Sequence, residues 1–247
     1  MPDYGSKISV CIPTYNGSKY IKAQLESILV QLGQDDEVVI SDDSSDDDTI
    51  NIIESIADGR IKVLKDNCYA SPIFNLENAL KYASGDYIFL SDQDDLWVDG
   101  KVTTMLSALK THSTVVSDCV IVDECGATIE SSFYEINKSK AGFFNNLFTN
   151  SYLGCCMAFD KEMLKNILPF PRRIAMHDIW IGLISELLGN PVFIKEKLVH
   201  YRRHSENFSP TSESSRFSLS YKIFYRYLFV YYCLVRVVRL RMLSSRR

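Results

Sequence analysis

Asp92-Gln93-Asp94-Asp95 follows the apolar run Tyr87 to Ser91 without a break. Hard divalent cations such as Mg²⁺ and Mn²⁺ take carboxylate oxygens, with diphosphate oxygens and water completing the shell. Two carboxylates one residue apart in a turn can approach one ion, or one can hold it while the other meets a ribose hydroxyl. The same residues would also serve as a solvated acidic turn capping the helix expected after Trp97.

Three further clusters carry similar double readings. In Asp42-Asp43-Ser44-Ser45, Asp and Ser are ordinary helix caps, and Asp46 to Asp48 suit a helix N-terminus. Two adjacent acids exceed what a cap requires, however, and one could accept the N3–H of a uracil or thymine ring. Thr14-Tyr15-Asn16 could supply an aromatic face and hydroxyls for the same base. His177-Asp178-Ile179-Trp180 opens a helix, where Asp178 is either a cap or a general base for an acceptor hydroxyl. Tyr201-Arg202-Arg203-His204, with Asn207, is dense enough to suggest Arg contacts to a diphosphate and a histidine on a metal, although any one of these alone would read as surface.

The elements that must position these groups read as an α/β chain. Lys7–Pro13, Glu37–Ser41, Ile61–Leu64 and Asp86–Ser91 are short apolar strands. Between them, Tyr20, Ile21, Leu25, Ile28, Leu29 and Leu32, and then Ile50, Ile53 and Ile56, recur at helical spacing. Ser71-Pro72 opens a third helix and Gly85 closes it. This β-α-β-α-β-α-β order predicts a mostly parallel, Rossmann-like sheet flanked by helices, with ligands beyond the carboxyl ends of its strands. The clusters TYN, DDSSDDD and DQDD follow strands one, two and four, so they should converge. The second half is less regular. It holds a helix after Trp97, a strand over 114–122 and a weak stretch over 125–150. Gly154–Phe159 reads as a strand, helices begin at Lys161 and His177, and Val192–Lys195 reads as a last strand.

The 247 residues are 46% hydrophobic and 23% charged, without repeats or low-complexity tracts, as befits one α/β domain with a small appendage. Residues 1–210 form that domain, about 1–100 being the nucleotide-binding half and 101–210 the acceptor-binding half. Residues 211–247 form a basic aromatic tail. From Arg216 onward there are eight Lys or Arg and no acid, leaving 19 basic against 31 acidic residues before it. Such asymmetry implies two different tasks. The longest uncharged run of the tail, Tyr227–Val235, is too short to cross a bilayer. An Arg-bearing amphipathic helix lying on anionic lipid fits better, with packing against the body as the alternative. The seven cysteines are odd in number and contain no CxxC pair, so reduced thiols are expected rather than a zinc site or disulfide framework. The N-terminus lacks a signal-peptide pattern, which points to a cytoplasmic protein, peripheral on the membrane's inner face. No nucleic-acid partner is expected.

Taken together, ISVCIPTYNGSKYI, VVISDDSSDDDT, ASGDYIFLSDQDDLW, IAMHDIW and LVHYRRHSENFS resemble family 2 inverting glycosyltransferases of the GT-A fold, of the bacterial polysaccharide and O-antigen type. The resemblance covers about residues 7 to 209. It implies that Pro13, Thr14, Tyr15 and Asn16, with Asp42 or Asp43, hold the nucleoside of a nucleotide-sugar donor. Asp92 would face the ribose and the metal, and Asp94 would be the principal ligand of Mn²⁺ or Mg²⁺. His204, with Arg202 or Arg203, would sit on the metal or diphosphate. Asp178 would be the catalytic base, although the motif reads HD where the family's commonest pattern is ED, which leaves Asp95 as an alternative. A saccharide acceptor carried on a polyprenyl diphosphate is implied by the subgroup. The competing readings are a sugar nucleotidyltransferase, which usually has a Gly-rich loop after strand one, and a Mg²⁺-binding receiver-like module, which would leave HDIW and YRRHSEN unexplained.

Overall fold

The computed structural model describes residues 5–203 and 218–244. From β1 (Ile8–Thr14) the chain alternates through α1 (Ile21–Leu29), β2 (Glu37–Asp42), α2 (Thr49–Ser55), β3 (Ile61–Leu64), α3 (Pro72–Tyr82) and β4 (Tyr87–Leu90). A two-residue β5 (Leu96–Trp97) leads to α4 (Lys101–Leu109), β6 (Thr114–Val122) and β7 (Thr128–Glu130). Two short helices, α5 (Phe133–Asn137) and α6 (Phe143–Phe148), precede β8 (Met157–Asp160) and α7 (Lys161–Ile167). The body ends with α8 (His177–Leu188) and β9 (Pro191–Arg202), and a long α9 (Leu219–Ser244) follows.

The strands form one sheet in the order β3-β2-β1-β4-β8-β6-β9-β5, with β7 joined to β6. β3, β2, β1 and β4 are mutually parallel. β8 inserts antiparallel to both β4 and β6, β9 runs parallel to β6, and β5 runs antiparallel to β9. A strand buried on both faces is apolar throughout rather than alternating, and β1 shows why. Ile8, Val10 and Ile12 join the core beneath α1 and α4, whereas Cys11 joins the core beneath α3 and α8. Both cores are closed by aliphatic side chains at or near zero exposure. Because β1, β2 and β4 are parallel neighbours, the polar segments after them share one edge of the sheet.

Besides the short β5, which the sequence does not announce, two elements differ from the sequence expectation. Gly154–Cys156 is a tight 3₁₀ turn, and only Met157–Asp160 is strand. β9 continues well past Lys195. Its pairing with β6 jumps from Ser117↔Ile194 to Asp118↔Lys197, so the extra residues bulge outward. The exposed Lys195-Glu196-Lys197 run therefore marks a bulge and not the strand's end.

Among the described residues, no helix is long and apolar enough to cross a membrane. One face of α9 docks on the body through Phe229 and Cys233, each 1% exposed. Arg236 secures it, donating to the backbone oxygens of Asn166, Leu168 and Pro169 at 2.6, 2.8 and 2.5 Å. Its guanidinium also lies 5.1 Å from the centre of the Trp180 ring, in α8. Arg236→Ala would strand several carbonyls, and a charged hydrogen bond contributes about 1.5–3 kcal/mol. The variant should unfold at lower urea, by at least about 2 kcal/mol. An unchanged midpoint would show that α9 is not held to the body in solution.

Candidate active site

The turn after β4 is built by its neighbours. Gln93 accepts from the Tyr15 amide at 2.9 Å and donates to the Tyr15 carbonyl at 3.1 Å, so one side chain clamps the loop after β1 to the acidic turn. Gly17 permits this closeness: a Cβ there would stand 2.5 Å from Gln93 Oε1. The loop after β2 is fastened to the same place. Asp42, 2% exposed, accepts from Thr14 Oγ1 at 2.9 Å and from the amide and hydroxyl of Ser45 at 2.9 and 2.6 Å. Asn16 donates its amide to Ser45 Oγ at 2.9 Å and accepts from the Asp46 amide at 3.0 Å, in a left-handed conformation (φ 49°) that Asn tolerates. Asp43 is half-buried and receives the amides of Tyr69 and Ser71 at 2.6 and 3.3 Å. Tyr15 is 57% exposed, leaving its ring open on this edge. Pro13, next to last in β1, is half-buried and paired with Ser41.

Asp95 turns inward. It has no exposure, and its Oδ1 accepts the Arg202 amide at 2.8 Å. Arg202, 8% exposed, threads under the turn: Nε donates to the Asp94 carbonyl at 3.0 Å and Nη1 to those of Asp123 and Glu124 at 3.3 and 2.8 Å. Its guanidinium also lies over the Tyr20 ring, 5.1 Å from the centre. Arg202 is thus an organiser of the turn, and Arg203 follows it half-buried, its amide bound to the Val122 carbonyl at 2.8 Å. His204 and Asn207 lie outside the described residues.

Asp178 is the second residue of α8, with Met176 extended at the cap position, so its carboxylate does not cap the helix. It is 6% exposed, and its Oδ1 lies 2.7 Å from His177 Nε2. The 3₁₀ turn makes room for both, since a Cβ on Gly154 would stand 2.7 Å from Asp178 Oδ1 and 3.4 Å from His177 Nε2.

The electrostatics tie these groups into one site. Burial first, then the charges of Asp94 and Asp178, push the Asp92 carboxyl up to about 7, with His177 opposing. Burial, Asp94 and Asp92 hold Asp95 well above the carboxylate range, partly offset by the Arg202 amide. Burial pulls the His177 imidazole down, but Asp178 and then Asp92 outweigh it and leave it raised. Four acids thus meet with too few resident cations, an arrangement that disfavours full ionisation unless positive charge is supplied. The donor chemistry is right for a hard divalent ion, since Asp92 and Asp94 offer carboxylate oxygens one residue apart on the same turn.

Sequence reasoning gave no role to Gln93, Gly17 or Gly154 and saw His177 only as a departure from a pattern. Gln93 stands inside the motif and could have been weighed. What Gly154 does depends on a turn that the sequence does not announce.

The family model described as Glycosyl transferase family 2 matches residues 9–168. A GalNAc(5)-diNAcBac-PP-undecaprenol beta-1,3-glucosyltransferase of Campylobacter jejuni is 31% identical, over 65% of this chain and 53% of its own. WfgD of Escherichia coli, a UDP-Glc:alpha-D-GlcNAc-diphosphoundecaprenol beta-1,3-glucosyltransferase, is 32% identical over 75% and 72%. The matched region thus spans about half of the first relative's length. Among solved structures, S. aureus TarS 1-349 in complex with UDP-GlcNAc superposes with a TM-score of 0.68 at 21% identity, covering 85% of this chain and 62% of that one. The mannosyltransferase PcManGT from Pyrobaculum calidifontis, in complex with GDP-Man and Mn²⁺, gives 0.62 at 20%, covering 82% and 59%. At these identities the structural likeness concerns the fold.

Proposed function

As the chain belongs to glycosyl transferase family 2, we propose that it is an inverting, metal-dependent transferase that moves a hexose or deoxyhexose from a UDP- or dTDP-sugar to a saccharide on a polyprenyl diphosphate, in the synthesis of a bacterial surface polysaccharide. The observation that carries this reading is the meeting of the acids after β4 with Asp178 from α8, whose charge helps to raise the Asp92 carboxyl. The undecaprenol-linked acceptors named for the C. jejuni and E. coli relatives support the acceptor class.

Pro13, Thr14, Tyr15 and Asn16 form the nucleoside side. Asp42 is buried within its own loop, whereas Asp43, which also receives two amides, is half-buried and keeps a more open carboxylate for the ring N3–H that UDP and dTDP share. Asp92 faces the ribose and the metal, Asp94 is the outward metal ligand, and Arg203, with His204 beyond it, meets the diphosphate and metal. These residues suit Mn²⁺ or Mg²⁺, whose chemistry there is to neutralise charge on the departing diphosphate.

Asp178 accepts the proton of the acceptor hydroxyl as that oxygen attacks the anomeric carbon from the face opposite the leaving group. The bond from that carbon to the diphosphate oxygen breaks, the new glycosidic bond forms, and the configuration inverts. Asp95 fits the base less well, being fully buried and pinned by an amide.

The outward face of α9 presents Phe224, Tyr227, Leu234, Val238 and Met242 beside exposed Arg239 and Arg241. That mixture suits an anionic lipid surface, where a lipid-linked acceptor resides, and supports a peripheral position on the inner face of the cytoplasmic membrane.

A thermal-shift screen of nucleoside diphosphates with and without Mn²⁺ checks the donor site. UDP or dTDP should stabilise the protein only with metal, by an amount rising with ligand concentration. A folded protein that no nucleotide shifts would overturn the proposal.

A further inference from the structure

Behind the acidic turn lies a group of side chains of which the transfer reaction uses only Asp92. The 3₁₀ turn Gly154–Cys156 carries Cys155, which has no exposure, against the inner side of Asp95 and Asp92. One ligand atom from each of Asp92, Asp95 and Cys155 lies within 4.8 Å of the other two. Asp95 Oδ2 is fully buried without a hydrogen-bond partner of normal geometry, and the Cys155 thiol is the polar group beside it. Lys101, also with no exposure, donates to the Cys155 carbonyl at 2.6 Å and packs its ammonium 4.7 Å from the centre of the Trp97 ring. The backbone of Cys155 is thereby held in place.

We propose that Asp92, Asp95 and Cys155 form a second, inner cation position that takes a thiophilic divalent ion such as Zn²⁺ or Cd²⁺. Metal–oxygen bonds of about 2.0–2.2 Å and a metal–sulfur bond of about 2.3 Å keep the ligands of one ion within about 4.5 Å of one another, so these groups, within 4.8 Å of one another, need only a small inward movement to enclose an ion. The choice of ion follows from the donors. Mg²⁺ takes oxygen and holds its water, whereas a thiolate selects softer ions. Asp94, which is not part of this group, is the outward ligand for the hard ion. Cys155 must release its proton to solvent on binding, so coordination forms the sulfur–metal bond as the sulfur–hydrogen bond breaks. Asp92 is common to both positions. An ion held inside would engage it and compete with its use on the donor side, so Zn²⁺ or Cd²⁺ should inhibit transfer. That last consequence rests on the transferase reading; the binding does not.

The test uses the full chain, free of nucleotide, with the exposed Cys68 and Cys125 replaced by serine, titrated with Cd²⁺ alone and followed by the ultraviolet absorption of cadmium–thiolate bonds. A saturable band with one ion per chain is expected. It should persist in Asp94→Ala and Cys156→Ser, vanish in Cys155→Ser and weaken at least tenfold in affinity in Asp95→Asn. Asp95→Asn keeps every thiol, so it decides the matter even where Cys155→Ser disturbs folding. Absence of the band, or a band indifferent to both Cys155→Ser and Asp95→Asn, overturns the inner site. Because no nucleotide or acceptor is present, that result leaves the transferase reading untouched, and a failed nucleotide screen leaves this one untouched.

Discussion

Asp178→Asn should bind UDP or dTDP with Mn²⁺ as the parent does and transfer sugar about 10³-fold more slowly, within the range of about 10²–10⁴ that a positioned general base contributes. The amide has nearly the shape of the carboxylate, so α8 and the Gly154 turn should accommodate it. What it loses is the capacity to take a proton. Donor binding is the control, since the proposed nucleoside side of the site lies on the loops after β1 and β2. Single-turnover transfer, measured beside the nucleotide thermal shift, separates the two effects. Asp95→Asn supplies the contrast, because a buried, amide-pinned carboxyl should not deliver a comparable loss of the chemical step. Transfer by Asp178→Asn within tenfold of the parent would remove Asp178 from the role and return the base to Asp95.

The parts of this arrangement that were legible in the sequence share a physical cause. Strands buried on both faces write themselves as apolar runs, so Ile8–Thr14, Glu37–Asp42 and Tyr87–Leu90 could be read directly, and their parallel order made the polar clusters after them converge. β5 could not be read, because two residues held by pairing of Leu96 and Trp97 with His200 and Val199 carry no periodicity. β9 reads short because Lys195-Glu196-Lys197 resembles a strand end, and only its pairing with β6 reveals a bulge. Gly154–Cys156 looked like strand because small and apolar residues suit either conformation. The tail's composition announced an amphipathic helix but not the inward use of Arg236, whose partners lie roughly 70 residues away along the chain. Within the site, residue types were readable and contacts were not. Nothing in the sequence says that Gln93 faces Tyr15, that Arg202 faces inward to the turn, or that Cys155 lies against Asp95.

Asp94→Ala should abolish the Mn²⁺-dependent part of nucleotide stabilisation and also change how the metal-free protein responds to pH. Asp92 holds its proton up to about 7 in the fold, through burial and the charges of Asp94 and Asp178, whereas an unfolded Asp releases it near about 3.9. Between those values the native state binds more protons than the unfolded one, so stability falls as pH rises. The contribution of Asp92 is fully present below about pH 4 and is lost as pH climbs through about 7. Metal-free parent protein should therefore melt at a lower temperature at about pH 8 than at about pH 5.5, and Mn²⁺ with UDP should restore the difference by binding the ionised form. Removing the Asp94 charge relieves one source of the raised Asp92 carboxyl, so the decline in Asp94→Ala should be shallower, with no recovery on adding Mn²⁺ and UDP. Melting curves of both proteins across this range, with and without the pair of ligands, decide it. Recovery in the variant equal to that in the parent would show that Asp94 does not hold the ion, and the metal site would then have to be rebuilt around Asp92 and Asp95.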